Sequence, residues 1–423
     1  VKTDAGIIAA GNKQNLNARK LEETIKTITI TFLCSLFFSC DKWLDLDPAE
    51  RVLEVNYYQT EEEAYKGLIA VYAMLKTQYF RDWSSWYMMY SMPSDDAVPH
   101  GGGRSDRPEF WSMHDFTVTP STFGIADTWS RCYYGIYRAN LLIENIESSS
   151  EVYDRIKAEA TMLRAYFYFD LVRLWGEVPL VTKILPQSEY YQPKVAKKKI
   201  YDQIVEDLIT ASEGLPDNLL QEEKFRMSSW AAKALLGKVY VYMASPFYNY
   251  TDKDYYTLAS EQLKDVIDNG PYELLEDYDQ IWRYDNEFNN ETIIEIAYGP
   301  SNDADGDEDT WGDGSANETN IIIQLNGPRA ISSNDTILNG WGFDMVTLEL
   351  VNEYRNLGDS IRLHGTVLAE WQLNDWGITV NEKNELYTGY YTKKRTTWAG
   401  ANIGTHNHWA YGTNERVLRL ADI

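Results

Sequence analysis

The chain of 423 residues is poor in cysteine, in basic residues and in histidine. Three cysteines, Cys34, Cys40 and Cys132, are too few for the disulfide framework that holds small exported domains together. Lys and Arg number 39 against 64 Asp and Glu, a formal charge of −25 at pH 7. That field repels polyphosphates and excludes a polybasic reader of nucleic acid or anionic lipid. Among five histidines only His406-Asn-His408 suggests a metal, and no third ligand is evident. Neither a Gly-x-Ser-x-Gly elbow nor a His-Glu-x-x-His motif occurs. The run His100-Gly-Gly-Gly-Arg104 lacks the Lys-Ser/Thr of a phosphate loop and opens no obvious helix, which argues against a nucleotide. Phenylalanine is scarce beside 31 Tyr and 14 Trp, a bias towards rings with a polar edge that tolerate a wet surface.

What is present describes a folded body with a large core: 44% of residues are hydrophobic and 24% charged. The apolar run at 27–39 follows Arg19, Lys20 and Lys26 and is too short to span a bilayer as a mature helix. It ends at Ser39-Cys40 and is followed at once by Asp41, Lys42, Asp45 and Asp47, the grammar of a lipoprotein signal. Acylation of Cys40 would anchor the chain to a membrane without spanning it. Leu36 lies one position further from the cysteine than the usual lipobox places it, so an ordinary cleaved signal is the alternative. Residues 1 to about 24 precede a signal of normal length and contain no Met, as an over-extended start would.

Thr60-Glu61-Glu62-Glu63 is a capping box, and Ala64, Leu68, Val71 and Leu75 follow at helical spacing. Trp129, Cys132, Ile136, Ala139, Ile143 and Ile146 keep the same alternation, which makes Cys132 a core residue rather than a reactive thiol. The strongest pattern predicts a helix over 156–175, with Ile156, Ala160, Leu163, Phe167, Leu171 and Leu174 on one face and Lys157, Glu159, Arg164 and Arg173 elsewhere; Gly176 and Pro179 end it. Further helices are expected over about 200–213, from 228 to before Pro246, and over 256–268. In the second of these Ala231, Ala232, Ala234 and Gly237 would let a neighbour approach closely. The even spacing of these starts suggests paired antiparallel helices of the tetratricopeptide kind. Between 281 and 413 the texture changes to short β-prone runs, Thr292–Tyr298 and Asn320–Gln324 among them, separated by Gly/Asn/Asp-rich loops of the sort that carry function.

Several stretches resemble a known family: Cys40-Asp-Lys-Trp-Leu-Asp-Leu-Asp-Pro48, Tyr57-Tyr-Gln-Thr-Glu-Glu-Glu-Ala64, and Trp129 through Tyr137-Arg-Ala-Asn140. The most specific is Leu163-Arg-Ala-Tyr-Phe-Tyr-Phe-Asp-Leu-Val-Arg-Leu-Trp-Gly-Glu-Val-Pro-Leu180. Ile200–Leu208, Ala231–Tyr240 and Val417–Ile423 continue the match in order. Together they resemble the SusD/RagB family of Bacteroidetes outer-membrane nutrient-binding lipoproteins, over residues 40–423. The resemblance implies a mainly α fold, a tetratricopeptide-like helical-repeat scaffold carrying an irregular, loop-rich, β-poor subdomain. The scaffold would occupy about 60–78, 128–280 and from 414 onwards; the ligand subdomain would occupy about 79–127 and 281–413. Residues 1–39 would be an upstream extension plus signal, and 40–423 one glycan-binding domain. In the family a sequence like Arg419-Leu-Ala-Asp-Ile423 opens another core helix, so the chain is expected to be truncated at its C-terminus. The implied role is non-catalytic: a surface-exposed, lipid-anchored outer-membrane protein that binds an oligosaccharide and delivers it to a SusC-like TonB-dependent transporter.

Two stretches are candidates for the sugar. The first, 79–119, holds Trp83, Trp86, Tyr87, Asp95, Asp96, His100, Arg104 and Trp111 among Gly and Pro. Sugar rings stack on aromatic faces while carboxylates and Arg bond the hydroxyls. The second, 298–345, holds Tyr298, Trp311, Asn326, Arg329, Trp341 and Asp344. Within it Asp303, Asp305, Asp307 and Asp309 alternate as in a calcium loop, but Gly306 and Glu308 break the pattern, and a solvated acidic loop is the better reading. No cofactor is expected. A helical-repeat module binding a peptide is the alternative from another class. A glycoside hydrolase is the least favoured, because adjacent Asp95 and Asp96 cannot be assigned opposed roles across a scissile bond.

Overall fold

The computed structural model describes residues 58–76, 86–147, 150–299, 319–332, 334–403 and 411–423. Cys40 and the signal segment, Trp83, Trp311, the Asp303–Asp309 run and His406/His408 lie outside the described residues.

Thr60 starts the first helix, α1 (Glu61–Tyr72), through the expected capping box: its Oγ1 accepts from Glu63 N at 3.2 Å and Glu63 Oε2 accepts from Thr60 N at 3.1 Å. The scaffold continues with α2 (Ile125–Asn145), α3 (Glu151–Trp175), α4 (Lys197–Gly214), α5 (Ser229–Ala244) and α6 (Tyr255–Asn269). Ser150, Ser228 and Asp254 cap α3, α5 and α6 with side-chain oxygens, each satisfying one first-turn N–H. Each helix packs on the next in sequence, and α1 lies against both α2 and α3. This is the order a stack of antiparallel helix pairs requires. Gly135 and Gly237 allow the closest approaches, under the Phe167 ring and the Leu263 side chain.

The helix α3 departs from the one-faced expectation: nearly every residue from Ile156 to Val172 is buried, including Glu159, Arg164 and Asp170. Periodicity scores apolar residues and so overlooks charges that are buried in pairs. Glu159 accepts from Tyr72 Oη at 2.5 Å and from Arg226 Nη2 at 2.6 Å. Arg164 forks onto Asp207 at 2.8 and 2.7 Å and reaches Asn140 Oδ1 at 2.8 Å. Asp170 faces Arg173 at 2.5 Å and Arg131 at 3.5 Å. The central helix is thus tied to α1, α2 and α4 by directional bonds as well as by its apolar side chains. Cys132 is fully buried, and burial pushes its thiol up to about 12, which confirms the core reading.

The remaining chain forms a subdomain from two excursions off the scaffold. Strands β1 (Ala97–Pro99), β2 (Thr292–Ile296), β3 (Asp344–Val346), β4 (Val367–Ala369), β5 (Tyr390–Thr392) and β6 (Glu415–Arg419) make two antiparallel sheets. One sheet has the order β1-β3-β5-β4, so the first excursion pairs with the second through Ala97↔Val346 and Pro99↔Asp344. The other is the ladder β2-β6, from Thr292↔Arg419 to Ile296↔Glu415.

Two expectations are corrected. Ile321–Asn326 is a short helix and not a strand: Asn320 Oδ1 accepts from Ile322 N at 3.1 Å, and all six residues are buried. A fully buried apolar run carries no period by which to tell strand from helix. Residues 415–419, expected to begin another helix from 414, are β6, because β2 needs a partner and the charges of this segment find theirs across the ladder. Arg419 Nη1 bonds Glu291 at 2.9 Å, and Arg395 Nε bonds Glu415 at 3.0 Å. Only Leu420–Asp422 turns, as a single 3-10 turn.

Candidate functional site

Beyond β1 the chain must reverse, and glycines let it. Gly101 adopts a left-handed backbone (φ 53°) and donates from its N–H to Gly342 O at 2.9 Å; Gly342 is left-handed too (φ 63°). A Cβ on Gly101 would meet the Phe343 ring at 2.3 Å, so the loop is clamped directly onto the segment before β3. His100 is fully buried, accepts from Asn384 N at 3.2 Å and packs on Tyr387 with centroids 5.4 Å apart. Burial, with Arg329 nearby, lowers its pKa, so it is a neutral strut joining three loops.

On this clamp two arginines meet carboxylates from separate segments. Arg104 bonds Asp115 at 3.0 Å and Glu385 at 3.1 Å, and its guanidinium lies 4.4 Å over the Trp111 ring. Arg329 faces Asp106 at 3.3 Å and Glu382 at 3.4 Å. Exposed pairs of this kind contribute little to stability, so sugar hydroxyls can replace a partner at little cost. Arg107, Phe116, Ala330 and Leu386 all have positive φ, and they flank these same segments. Each such residue carries strain of about 1–3 kcal/mol, which clusters where a surface is shaped for function.

The structure brings Arg104, Trp111 and Arg329 of the expected set together, with Trp341 beside Phe343 at 6.5 Å on the clamp. Trp111 is only 3% exposed and covered by Arg104, which corrects its assignment as a stacking platform. Tyr87 donates to buried Asp344 at 2.5 Å under the Arg395 guanidinium and anchors the helix Trp86–Ser91 to the sheet. Asp95 and Asp96 are exposed, but their carbonyls accept from Thr347, which holds the sheet edge. Tyr298 is buried in the scaffold core, and Asn326 is fully buried at the end of its short helix; neither reaches the surface. Trp86 opens the helix Trp86–Ser91.

Sequence reading missed Asp106, Asp115, Glu382, Asn384 and Glu385, because single polar residues in loops carry no period. It also missed a half-exposed pair of rings, Trp376 and Trp398, 6.1 Å apart, and Trp371, 55% exposed. Their only signal was tryptophan inside the loop-rich 281–413 stretch. Among the described residues no group of three His, Cys, Asp or Glu side chains is placed to hold a metal ion. None of the described helices is long and apolar enough to cross a membrane.

A solved structure described as a laminarin-binding SusD-like protein shares this fold with a TM-score of 0.76 and 32% identity, covering 86% of this chain and 79% of that one. The chain belongs to the SusD-like family. A SusD-like family model described as "Starch-binding associating with outer membrane" matches residues 104–241, from Arg104 into α5. The SusD-like protein P25 of Formosa agariphila is 24% identical over 305 residues, and the match covers 70% of this chain but 55% of that protein. A SusD-like protein of Bacteroides ovatus is 25% identical over 418 residues, covering 94% of this chain and 70% of that protein. The surface glycan-binding protein A of Bacteroides thetaiotaomicron, solved with laminarihexaose, has a TM-score of 0.74 at 21% identity, covering 85% and 76%; at that identity it shows the SusD-like fold alone. The mainly helical SusD-like architecture with its small antiparallel β subdomain is therefore that of this chain.

Proposed function

We propose that this SusD-like chain is a non-catalytic, cell-surface glycan-binding lipoprotein of the outer membrane, and that it hands oligosaccharide to a SusC-like TonB-dependent transporter. The observation that carries the reading is its 32% identity over most of its length to a laminarin-binding relative. The rim of Arg104, Arg329 and their carboxylates supplies hydroxyl partners. Trp83, Trp86, Trp311 and Trp341 from the sequence, with Trp371, Trp376 and Trp398 from the structure, are the proposed stacking rings. Cys40 is the proposed lipid attachment. Several modest stacking and hydroxyl contacts give an affinity on the order of micromolar to millimolar.

Native affinity electrophoresis against laminarin, xyloglucan and starch tests this. Retardation by laminarin with no release of reducing ends is expected. Retardation by none of a broad polysaccharide panel would sink the reading. A protein-docking role has one observation in its favour: a cavity of about 400 Å³ beside α2, lined by Trp129, Tyr133, Tyr134, Tyr137 and Tyr190. Within the present proposal that face serves the transporter contact.

A further inference from the structure

Between the scaffold and the strands lies a cavity of about 200 Å³, which shares no lining residue with the Arg104 rim and is bordered by α3, α5 and β6. Its wall carries Arg173, Lys238, Arg395 and Arg416, and Glu415 is the one carboxylate among its lining residues. Three of the cations have partners: Arg173 has Asp170 at 2.5 Å, Arg395 has Glu415, and Arg416 Nε has Glu295 at 3.7 Å. The last pairing is weak, because the Glu295 carboxylate already accepts from Phe288 N at 3.0 Å and Asn414 Nδ2 at 2.9 Å. The Arg416 side chain is 2% exposed; Nη1 donates to Asn414 O at 2.9 Å and Nη2 to Arg283 O at 2.8 Å, but among the described residues its Nε has no hydrogen-bond partner. An orphaned donor on a buried cation is costly and points to a missing acceptor.

Lys238 is the fourth cation, and among the described residues no hydrogen bond or ion pair holds it. Burial and then Arg173 depress its pKa, and Tyr242, Asp422 and Asp170 offset this only in part. The guanidinium groups are fixed in advance: Arg173 lies 4.2 Å over Phe169 and 5.1 Å over Tyr90, and Arg395 lies 4.2 Å over Tyr87. Rigid forks are suited to planar or tetrahedral oxygen clusters, and holding them in place removes part of the entropic cost of binding.

We propose that this cavity binds one small oxyanion, a sulfate, phosphate or carboxylate group, either as a free ion or carried on an acidic sugar. Lys238 supplies an ammonium that no ion pair holds, and the arginines supply further guanidinium donors. This goes beyond neutral glycan capture and does not depend on it.

The test is thermal unfolding of the full chain with sodium sulfate, sodium glucuronate or glucose, at ionic strength held constant with sodium chloride. A saturable rise in Tm is expected with sulfate, glucuronate or both, and none with glucose. Lys238→Met should weaken the apparent affinity about tenfold or more, the loss of one charge-assisted contact, and Lys238→Arg should restore it. Retardation by laminarin should be the same in both variants as in the parent. Saturation by sulfate identifies a free ion, and saturation by glucuronate alone identifies an acidic sugar. A linear, non-saturating rise, which excluded kosmotropes give to any protein, would overturn the site. So would a saturable rise unchanged by Lys238→Met.

Discussion

Arg164 and Asp207 illustrate what single residues do in this scaffold. Their bidentate pair, with Asn140 Oδ1 accepting from the remaining nitrogen Nη1, sits where α2, α3 and α4 meet, and both side chains are almost wholly buried. Breaking such a pair strands a charge, so Asp207→Asn is expected to destabilise the fold by about 3–5 kcal/mol in urea denaturation. Glu287 makes the opposite case. Its carboxyl accepts from Asn414 N at 2.7 Å, but burial, aided by nearby Glu295, raises its pKa from 4.5 to about 7. The folded state therefore favours the protonated form: this contribution to stability is fully present below about 4.5 and is lost as pH rises through about 7. Glu287→Gln keeps the acceptor without the charge. The gap in Tm between variant and parent should widen in the variant's favour from pH 4.5 to 7.5, and a constant gap would contradict the assignment. Neither residue was legible as a core group in the sequence, because burial of a charge depends on partners 43 and 127 positions away.

At the scale of elements, caps and breakers were readable. Thr60, Ser228, Gly176 and Pro179 mark boundaries by local chemistry, and the expected starts near 200, 228 and 256 fall within a few residues of α4, α5 and α6. Ile321–Asn326 and Glu415–Arg419 were not readable, since their state is set by what packs on them rather than by their own spacing. Close helix contacts give a sharper test. Ala for Gly in a helix ordinarily gains about 1 kcal/mol. At Gly135 the new Cβ would stand 2.3 Å from the fully buried Phe167 ring, and overpacking of about 1–3 kcal/mol outweighs the gain. Gly135→Ala should lower Tm. At Gly237 the new Cβ would stand 2.3 Å from Cδ2 and 2.5 Å from Cγ of Leu263, so that whole side chain must swing away; because Leu263 is half-buried and can do so, Gly237→Ala should lower Tm less than Gly135→Ala.

For the whole molecule, the scaffold was legible because it is built from sequential neighbours, while the proposed sugar-facing surface was only partly so. The sequence singled out Arg104 and Arg329, but Asp106, Asp115, Glu382 and Glu385 are brought to them by the tertiary fold. Arg104→Ala and Arg329→Ala should each weaken glycan retardation about tenfold, the worth of a hydrogen bond from a charged group. Their Tm should barely change, because exposed pairs contribute little. Loss of stability without loss of retardation would assign both arginines to architecture instead. The ladder between Thr292–Ile296 and Glu415–Arg419 has a wider consequence. It brings the two ends of a long excursion side by side, so the chain between them can change in length without moving the ends apart. Insertions and deletions between β2 and β6 are therefore expected to be tolerated by the helical body.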